Sequence, residues 1–148
     1  MIASVARRFN ARRSNYQSFS VYSELVRSHY ANPRNAGRVP NPSAQAMIKS
    51  PVDSDTVLIT LRIENNVIVD VRFKCMGCAV AIACSSIATE MVLGKPVDEA
   101  YSITKGGVAE ALGGIPDYKM TCSNLATDAI RKAIEDWKLQ QTGSLSPV

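Results

Sequence analysis

"TVLITLRIENNVIVDVRFKCMGCAVAIACSSIATEMVLG", residues 56–94, decides the fold. Its first half contains two runs rich in β-branched residues, 56–63 and 67–74, in which apolar and polar residues alternate. The polar residues 64–66 separate them, and this arrangement predicts a β-hairpin. The strongly apolar run 77–94 follows at once and predicts a helix that ends at a glycine. The stretch therefore joins a sheet directly to a buried helix.

The flanking sequence adds further helices and one strand. Residues 22–30 have apolar side chains at helical spacing, and residues 44–49 predict a short strand. Two short helices are predicted within 96–103 and 106–114. Residues 121–141 carry an apolar stripe typical of a long amphipathic helix. The order predicts an α+β fold, in which a small antiparallel three-stranded sheet packs against several helices, including a long C-terminal helix.

Composition indicates one folded domain with polar ends. The chain has 148 residues, 46% of them hydrophobic, enough for a single core. We expect a flexible basic extension over residues 1–20, a folded domain over 21–141 and a polar tail over 142–148. The net charge of +4 comes from four arginines that precede Glu24, after which basic and acidic residues balance at 13 each. A nucleic-acid partner is therefore not expected.

The sequence also gives an expectation about the cellular compartment of the protein. It has no run of apolar residues long enough to cross a membrane, and its first residues are too short for a secretory signal. We therefore expect a soluble cytoplasmic protein with no membrane partner. The alternative is the mitochondrial matrix, because residues 1–20 are rich in Arg, Ser and Asn without any acid, as in a transit peptide.

Two of the four cysteines lie where helices are predicted to begin. Cys78 starts the apolar helix, and Cys122 follows Thr121, the predicted N-cap of the last helix. Unpaired N–H groups and the helix dipole favour negative charge at such positions, so each thiol is disposed to ionise. The thiolate is the form that binds metals and attacks sulfur. The alternative is that each is a small buried residue at a helix entry.

The other two cysteines and the single histidine have different surroundings. Cys75 forms a C-x-x-C pair with Cys78, a spacing that suits zinc, iron or a redox dithiol, although Cys75 could also be a packed strand end. Cys84 falls on the other side of the helix from Cys78 and is predicted to be a core residue. His29 is expected to pack rather than to catalyse. Structural disulfides are not expected in a chain of this kind.

Four segments resemble a known family. "HYANPRNAG" (29–37), "FKCMGCAVAIACSSIATEMVLGK" (73–95), "LGGIPDYKMTCSNLATDAI" (112–130) and the hairpin resemble the iron–sulfur cluster assembly scaffolds IscU and the N-terminal domain of NifU. The resemblance implies a scaffold or carrier rather than an enzyme. Such a protein takes sulfur as a persulfide from a cysteine desulfurase, takes iron, builds a [2Fe–2S] cluster on three cysteines and passes it to acceptor apo-proteins.

The resemblance assigns roles to particular residues. Cys78 matches the family's second ligand cysteine and Cys122 the third, while Asp55 matches an aspartate associated with cluster lability. The first ligand cysteine, in the family pattern P-V-C-G-D, is replaced here by Asp53. Ile115–Lys119 occupies the place of a segment that a chaperone recognises, with only the proline and the lysine retained. Thr121 stands where many members have histidine.

Two ligand sets follow for the cofactor. In the first, Cys75 supplies the missing thiolate beside Cys78 and Cys122, with Asp53 or Asp55 as the fourth ligand; cluster chemistry favours these soft ligands. In the second, Cys78, Cys122, Asp53 and Asp55 hold zinc, a single iron or an oxygen-ligated cluster. The two aspartates could also be a solvated turn before a strand.

The sequence leaves three hypotheses for the function. The leading hypothesis is an iron–sulfur scaffold or carrier. The second is a degenerate, zinc-binding family member that acts as a regulator or desulfurase partner without scaffold activity. The third is a thiol oxidoreductase that uses Cys75 and Cys78, which would need these two thiols to form a reversible disulfide.

Overall fold

The sheet is the predicted antiparallel one. The computed structural model describes residues 22–52 and 54–142, and its three strands are β1 (Ala44–Lys49), β2 (Thr56–Glu64) and β3 (Val67–Met76), in the order β1-β2-β3. Asn65 and Asn66 join β2 to β3 with φ of 53° and 62°. Asparagine tolerates this left-handed conformation, which a two-residue hairpin turn requires.

The predicted helices are all present in the described part of the chain, and their ends differ from the predicted ones by a few residues. They are α1 (Glu24–Ala31), α2 (Ala79–Val92), α3 (Val97–Tyr101), α4 (Lys105–Ala111) and α5 (Met120–Gln141). The α+β fold with a three-stranded sheet and a long C-terminal helix is thus confirmed. The predicted extension over residues 1–20 and the predicted tail beyond Thr142 lie outside the described residues.

The core lies between the sheet and the helices. Helix α5 packs on β1 and β2, and α2 packs on β3, α1 and α5. Ile59 and Leu61 of β2 and Ile130 and Ile134 of α5 are completely buried, and each contributes about 1.5–3 kcal/mol through removal of apolar surface from water. Cys84 is also completely buried, as predicted. Among the described residues, no helix combines the length and apolar character needed to cross a membrane.

The segment after α1 is fastened to α2 and to the sheet. The backbone N–H of Arg34 donates to Ser86 Oγ at 2.9 Å, and that hydroxyl lies 2.7 Å from Nδ1 of His29. Gly37 N–H donates to the carbonyl of Phe73 at 2.8 Å. His29 is therefore a packed residue, as expected. Burial lowers its pKa, as does Arg34, while Glu90 opposes them.

Acid should destabilise the fold through His29. Because the folded state lowers the His29 pKa, the unfolded chain binds the proton first, and stability falls as the pH drops below about 6.5. The loss is at most about 1.4 kcal/mol per pH unit for one proton. His29→Asn, whose amide can still bond Ser86, should show a smaller loss of unfolding free energy between about pH 7.5 and 5.5 in urea titrations. Equal losses in the two proteins would contradict this.

Candidate metal centre

Two helix N-termini meet at one point on the molecule. Cys78 is the N-cap of α2, directly after β3, and Cys122 is the third residue of α5. Their Sγ atoms are 3.4 Å apart, close enough for a hydrogen bond between the thiols. Cys122 is only 5% exposed, whereas Cys78 is partly exposed. The structure thus brings the two predicted sulfur atoms together. Cys122 is the more buried residue of the pair, and Cys78 is the more accessible to solvent.

The predicted cap of α5 is wrong. Thr121 was predicted to be the N-cap, but Lys119 holds that position and no side chain caps the helix. The reason is a short 3₁₀ turn, Asp117–Lys119, that runs directly into α5. Thr121 therefore lies within the first turn of the helix, and Cys122 still lies in the turn whose N–H groups have no helical acceptor.

Asp55 completes a group of three potential ligands. One ligand atom from each of Asp55, Cys78 and Cys122 lies within 4.8 Å of the others. The Cys78 N–H also donates to Oδ2 of Asp55 at 3.4 Å. Gly77 permits this approach, because a Cβ there would lie 2.8 Å from Cγ of Asp55. Two soft sulfur donors and one hard oxygen donor form a set that suits zinc or iron.

Two further predicted site residues, Cys75 and Asp53, are not in this three-ligand group. Cys75 lies in β3 opposite Val57 and is half-buried against the core. Burial raises its thiol pKa to about 11, and the charge of Asp55 adds to the effect. Among the described residues, Cys75 is not part of the three-ligand group. Asp53 lies outside the described residues, so its ligation remains a prediction.

The two thiols of the site ionise very differently. The hydrogen bond from Cys122 lowers the pKa of Cys78 to about 6, with further help from the Ala81 N–H and Lys119, against burial and Asp55. The same hydrogen bond raises the pKa of Cys122 far above its usual value, because Cys122 must keep its proton in order to donate. The directions of the two shifts make Cys78 the more readily ionised thiol of the pair.

Lys119 is a site residue that sequence reasoning missed. The thiolate of Cys78 raises the pKa of this lysine, with smaller contributions from Tyr22 and Cys122. In the sequence Lys119 is the last residue of the predicted chaperone segment Ile115–Lys119. A lysine three residues before a helix-start cysteine is itself a signal of thiolate stabilisation. Gly77 was missed in the same way, since its importance depends on the approach of Asp55.

The segments that supply the three ligands also expose large apolar side chains. Val52, close before Asp55, is 72% exposed; Met76, just before Cys78, is 79% exposed; and Tyr118, before Cys122, is 73% exposed. Each ligand segment therefore presents at least one large apolar side chain to solvent.

The sequence matches a known protein family over most of its length. A family model described as NifU-like N terminal domain matches residues 21–143. The chain belongs to this family. It is 48% identical over 117 residues to the iron–sulfur cluster assembly scaffold protein IscU 1 of Archaeoglobus fulgidus, covering 79% of this chain and 76% of the relative. The resemblance inferred from the four sequence segments is confirmed.

Further relatives agree. The iron–sulfur cluster assembly scaffold protein IscU of Escherichia coli is 43% identical over 121 residues, covering 79% of this chain and 94% of that protein. The N-terminal part of a NifU-like protein from Brucella abortus matches the structure with a TM-score of 0.66 at 20% identity, covering 78% of this chain and 92% of that one. That likeness shows the shared fold.

A side chain at position 77 should weaken metal binding, because it would fill the space that the Asp55 carboxylate occupies. In Gly77→Ala the new Cβ must displace the Asp55 carboxylate, which lies 2.8–2.9 Å from its position. We expect the zinc affinity, measured by competition with a chromophoric chelator, to fall at least about tenfold. Gly106→Ala is the matched control, since a Cβ there meets no atom within 4 Å. Equal affinities in the two variants would exclude Asp55 as a ligand.

The ionisation of Cys78 should depend more on Cys122 than on Lys119. The hydrogen bond from Cys122 is the larger cause of the lowered pKa, so Cys122→Ala should raise the pKa more than Lys119→Gln. The measurement is the pH dependence of Cys78 alkylation by iodoacetamide, followed by peptide mass spectrometry. Lys105→Gln, which removes an exposed lysine of α4, should leave the profile unchanged. The reverse order for the first two variants would contradict the assignment.

Proposed function

We propose that the protein is an iron–sulfur cluster assembly scaffold that accepts sulfur and iron, holds a [2Fe–2S] cluster as cargo and transfers it to acceptor proteins. The observation that carries the proposal is the contact between Cys78 and Cys122, 3.4 Å apart beside Asp55, on a partly exposed surface. Family membership supports the scaffold role, as do the scaffold names of the relatives.

The types of ligand atom in the site favour temporary rather than permanent binding of the cluster. Clusters prefer thiolates, and a [2Fe–2S] cluster takes four protein ligands. The described residues bring together two thiols and one carboxylate, so at least one further ligand must come from elsewhere. We propose Asp53 for that position, which follows the second of the two predicted ligand sets. A hard carboxylate binds the cluster less well than a thiolate does and makes release easier.

The proposed partners follow from what the site must receive and give. A cysteine desulfurase would supply sulfur to the ionised Cys78, and acceptor apo-proteins would receive the cluster. The exposed Val52, Met76 and Tyr118 would provide apolar contacts in both encounters. A chaperone could bind Ile115–Lys119, which runs along the surface immediately before α5. The second hypothesis, a zinc-binding regulator without scaffold activity, depends on the substitution at position 53, and the relatives' names do not favour it.

Anaerobic reconstitution tests the scaffold function. The full-length chain, incubated with ferrous iron and sulfide, should develop the visible absorption of a cluster with about two irons and two sulfides per protein. Cys78→Ser and Cys122→Ser should lose it, because each removes one of the two thiolates of the site. Cys84→Ala is the matched control, since it removes a thiol that is buried in the core. A colourless protein that holds only zinc would contradict the proposal.

The same experiment separates the two ligand sets. Retention of the cluster in Cys75→Ser supports ligation by Asp55 and Asp53, whereas its loss supports ligation by Cys75. Asp53→Cys restores the third thiolate of the family pattern. We expect it to slow the loss of the cluster to a chelator, because soft ligands hold a sulfide cluster more firmly.

A further inference from the structure

The two edges of the three-stranded sheet differ in what covers them. On the outer edge of β3, the Phe73 N–H donates to the carbonyl of Asn35 at 2.9 Å, and the Gly37 N–H donates to the carbonyl of Phe73 at 2.8 Å. Residues 94–97 bond in a similar way to the start of the same strand. No described segment of the chain pairs with the outer edge of β1. An open strand edge of this kind is a template for pairing with a further strand.

The sheet register determines which residues of β1 face this open edge. Because Phe73 uses its backbone groups on the outer edge of β3, its opposite residue in β2, Ile59, directs its own groups to Ala46 of β1. Such bonds alternate along a strand, so the neighbours of Ala46 and every second residue beyond them turn their N–H and C=O groups outward. These outward residues are Gln45, Met47 and Lys49. All three are exposed, and within the described ranges their outward backbone groups have no partner.

We propose that the open edge of β1 pairs with the same edge of a second copy of this chain, so that two antiparallel β1 strands join the two sheets into one. This pairing is independent of the metal centre and of the proposed function. A two-fold axis through Met47 places Met47 opposite its own copy and Gln45 opposite Lys49 of the second copy. The opposed residues are the ones with outward backbone groups, so each opposed pair can exchange two N–H···O=C bonds.

The side chains of β1 suit pairing with a second copy. The Met47 side chain is 64% exposed in the single chain, and in the pair the two Met47 side chains cover each other. On either side of them, the Lys49 ammonium faces the neutral amide of Gln45, so no two like charges of β1 are directly opposed.

The shape of the edge favours the same occupant. β1 contains no proline and pairs with β2 over all six of its residues without a bulge, and Lys49 at its end is its only charged residue. Proteins that keep an edge strand single use prolines, bulges or inward charges there. Because one short strand from each copy buries a small area, the dimer should be weak. Arg38 bonds to Gln45 at 3.1 Å and would lie near Lys49 of the second copy, so added salt should strengthen the dimer.

Cysteine cross-linking in the full-length chain tests the pairing and its register. Cα atoms of a hydrogen-bonded antiparallel pair lie about 5.5 Å apart, which a disulfide can span. Oxidation of Met47→Cys with diamide should therefore give a covalent dimer, which peptide mass spectrometry locates at position 47. Gln45→Cys is the matched control, because the two copies of position 45 would lie about 14 Å apart along the strands, and it should give less than about a tenth of that dimer. The double variant Gln45→Cys/Lys49→Cys should cross-link, because these positions are opposed.

Sedimentation equilibrium measures the association without a cross-link. The reduced wild type, with EDTA present to exclude dimers bridged by metal, should rise from the 16.0 kDa of the monomer towards twice that mass as its concentration reaches about 300 µM. Met47→Pro removes an outward N–H at a position where an edge strand tolerates proline, and it should stay monomeric. Should it fail to fold by circular dichroism, Met47→Lys, which opposes two like charges, takes its place.

Three results would overturn the proposal. The first is a wild type that stays monomeric over the whole concentration range, which would leave the edge to a strand of another protein. The second is a dimer that persists in the folded variants at Met47. The third is a cross-link through Gln45→Cys alone that is as abundant as the one through Met47→Cys, since it would place the contact in a different register or on a different surface.

Discussion

The contact between Cys78 and Cys122 is the constraint on which the site depends. The two residues are far apart in the chain, and each begins or nearly begins a helix. Their sulfurs meet only because α2 and α5 pack against each other and against the same sheet. Both helices bury several alanines, and small side chains let helix axes approach closely.

Opposing influences act on the charge of Cys78 at this contact. The hydrogen bond with Cys122, the Ala81 N–H and Lys119 lower the pKa of Cys78, whereas burial and Asp55 oppose them. Asp55 is nevertheless held against the Cys78 backbone, in space that Gly77 leaves open. The carboxylate therefore destabilises the empty anionic site and adds a hard ligand to an occupied one. A site of this kind can accept a cation readily, while its oxygen ligand keeps it from holding a soft cluster as firmly as three thiolates would.

The sequence could predict those features that depend on neighbouring residues. It could not predict those that depend on contacts between segments far apart in the chain. The hairpin and the helices follow from local periodicity, and the helix-start positions of Cys78 and Cys122 follow from glycine and capping patterns. The 3.4 Å between their sulfurs depends on how α2 packs on α5, which no local pattern contains. Cys75 is the opposite case. Its C-x-x-C spacing predicts a ligand, whereas its pairing with Val57 and its packing against the core depend on how far β3 extends, which the spacing does not contain.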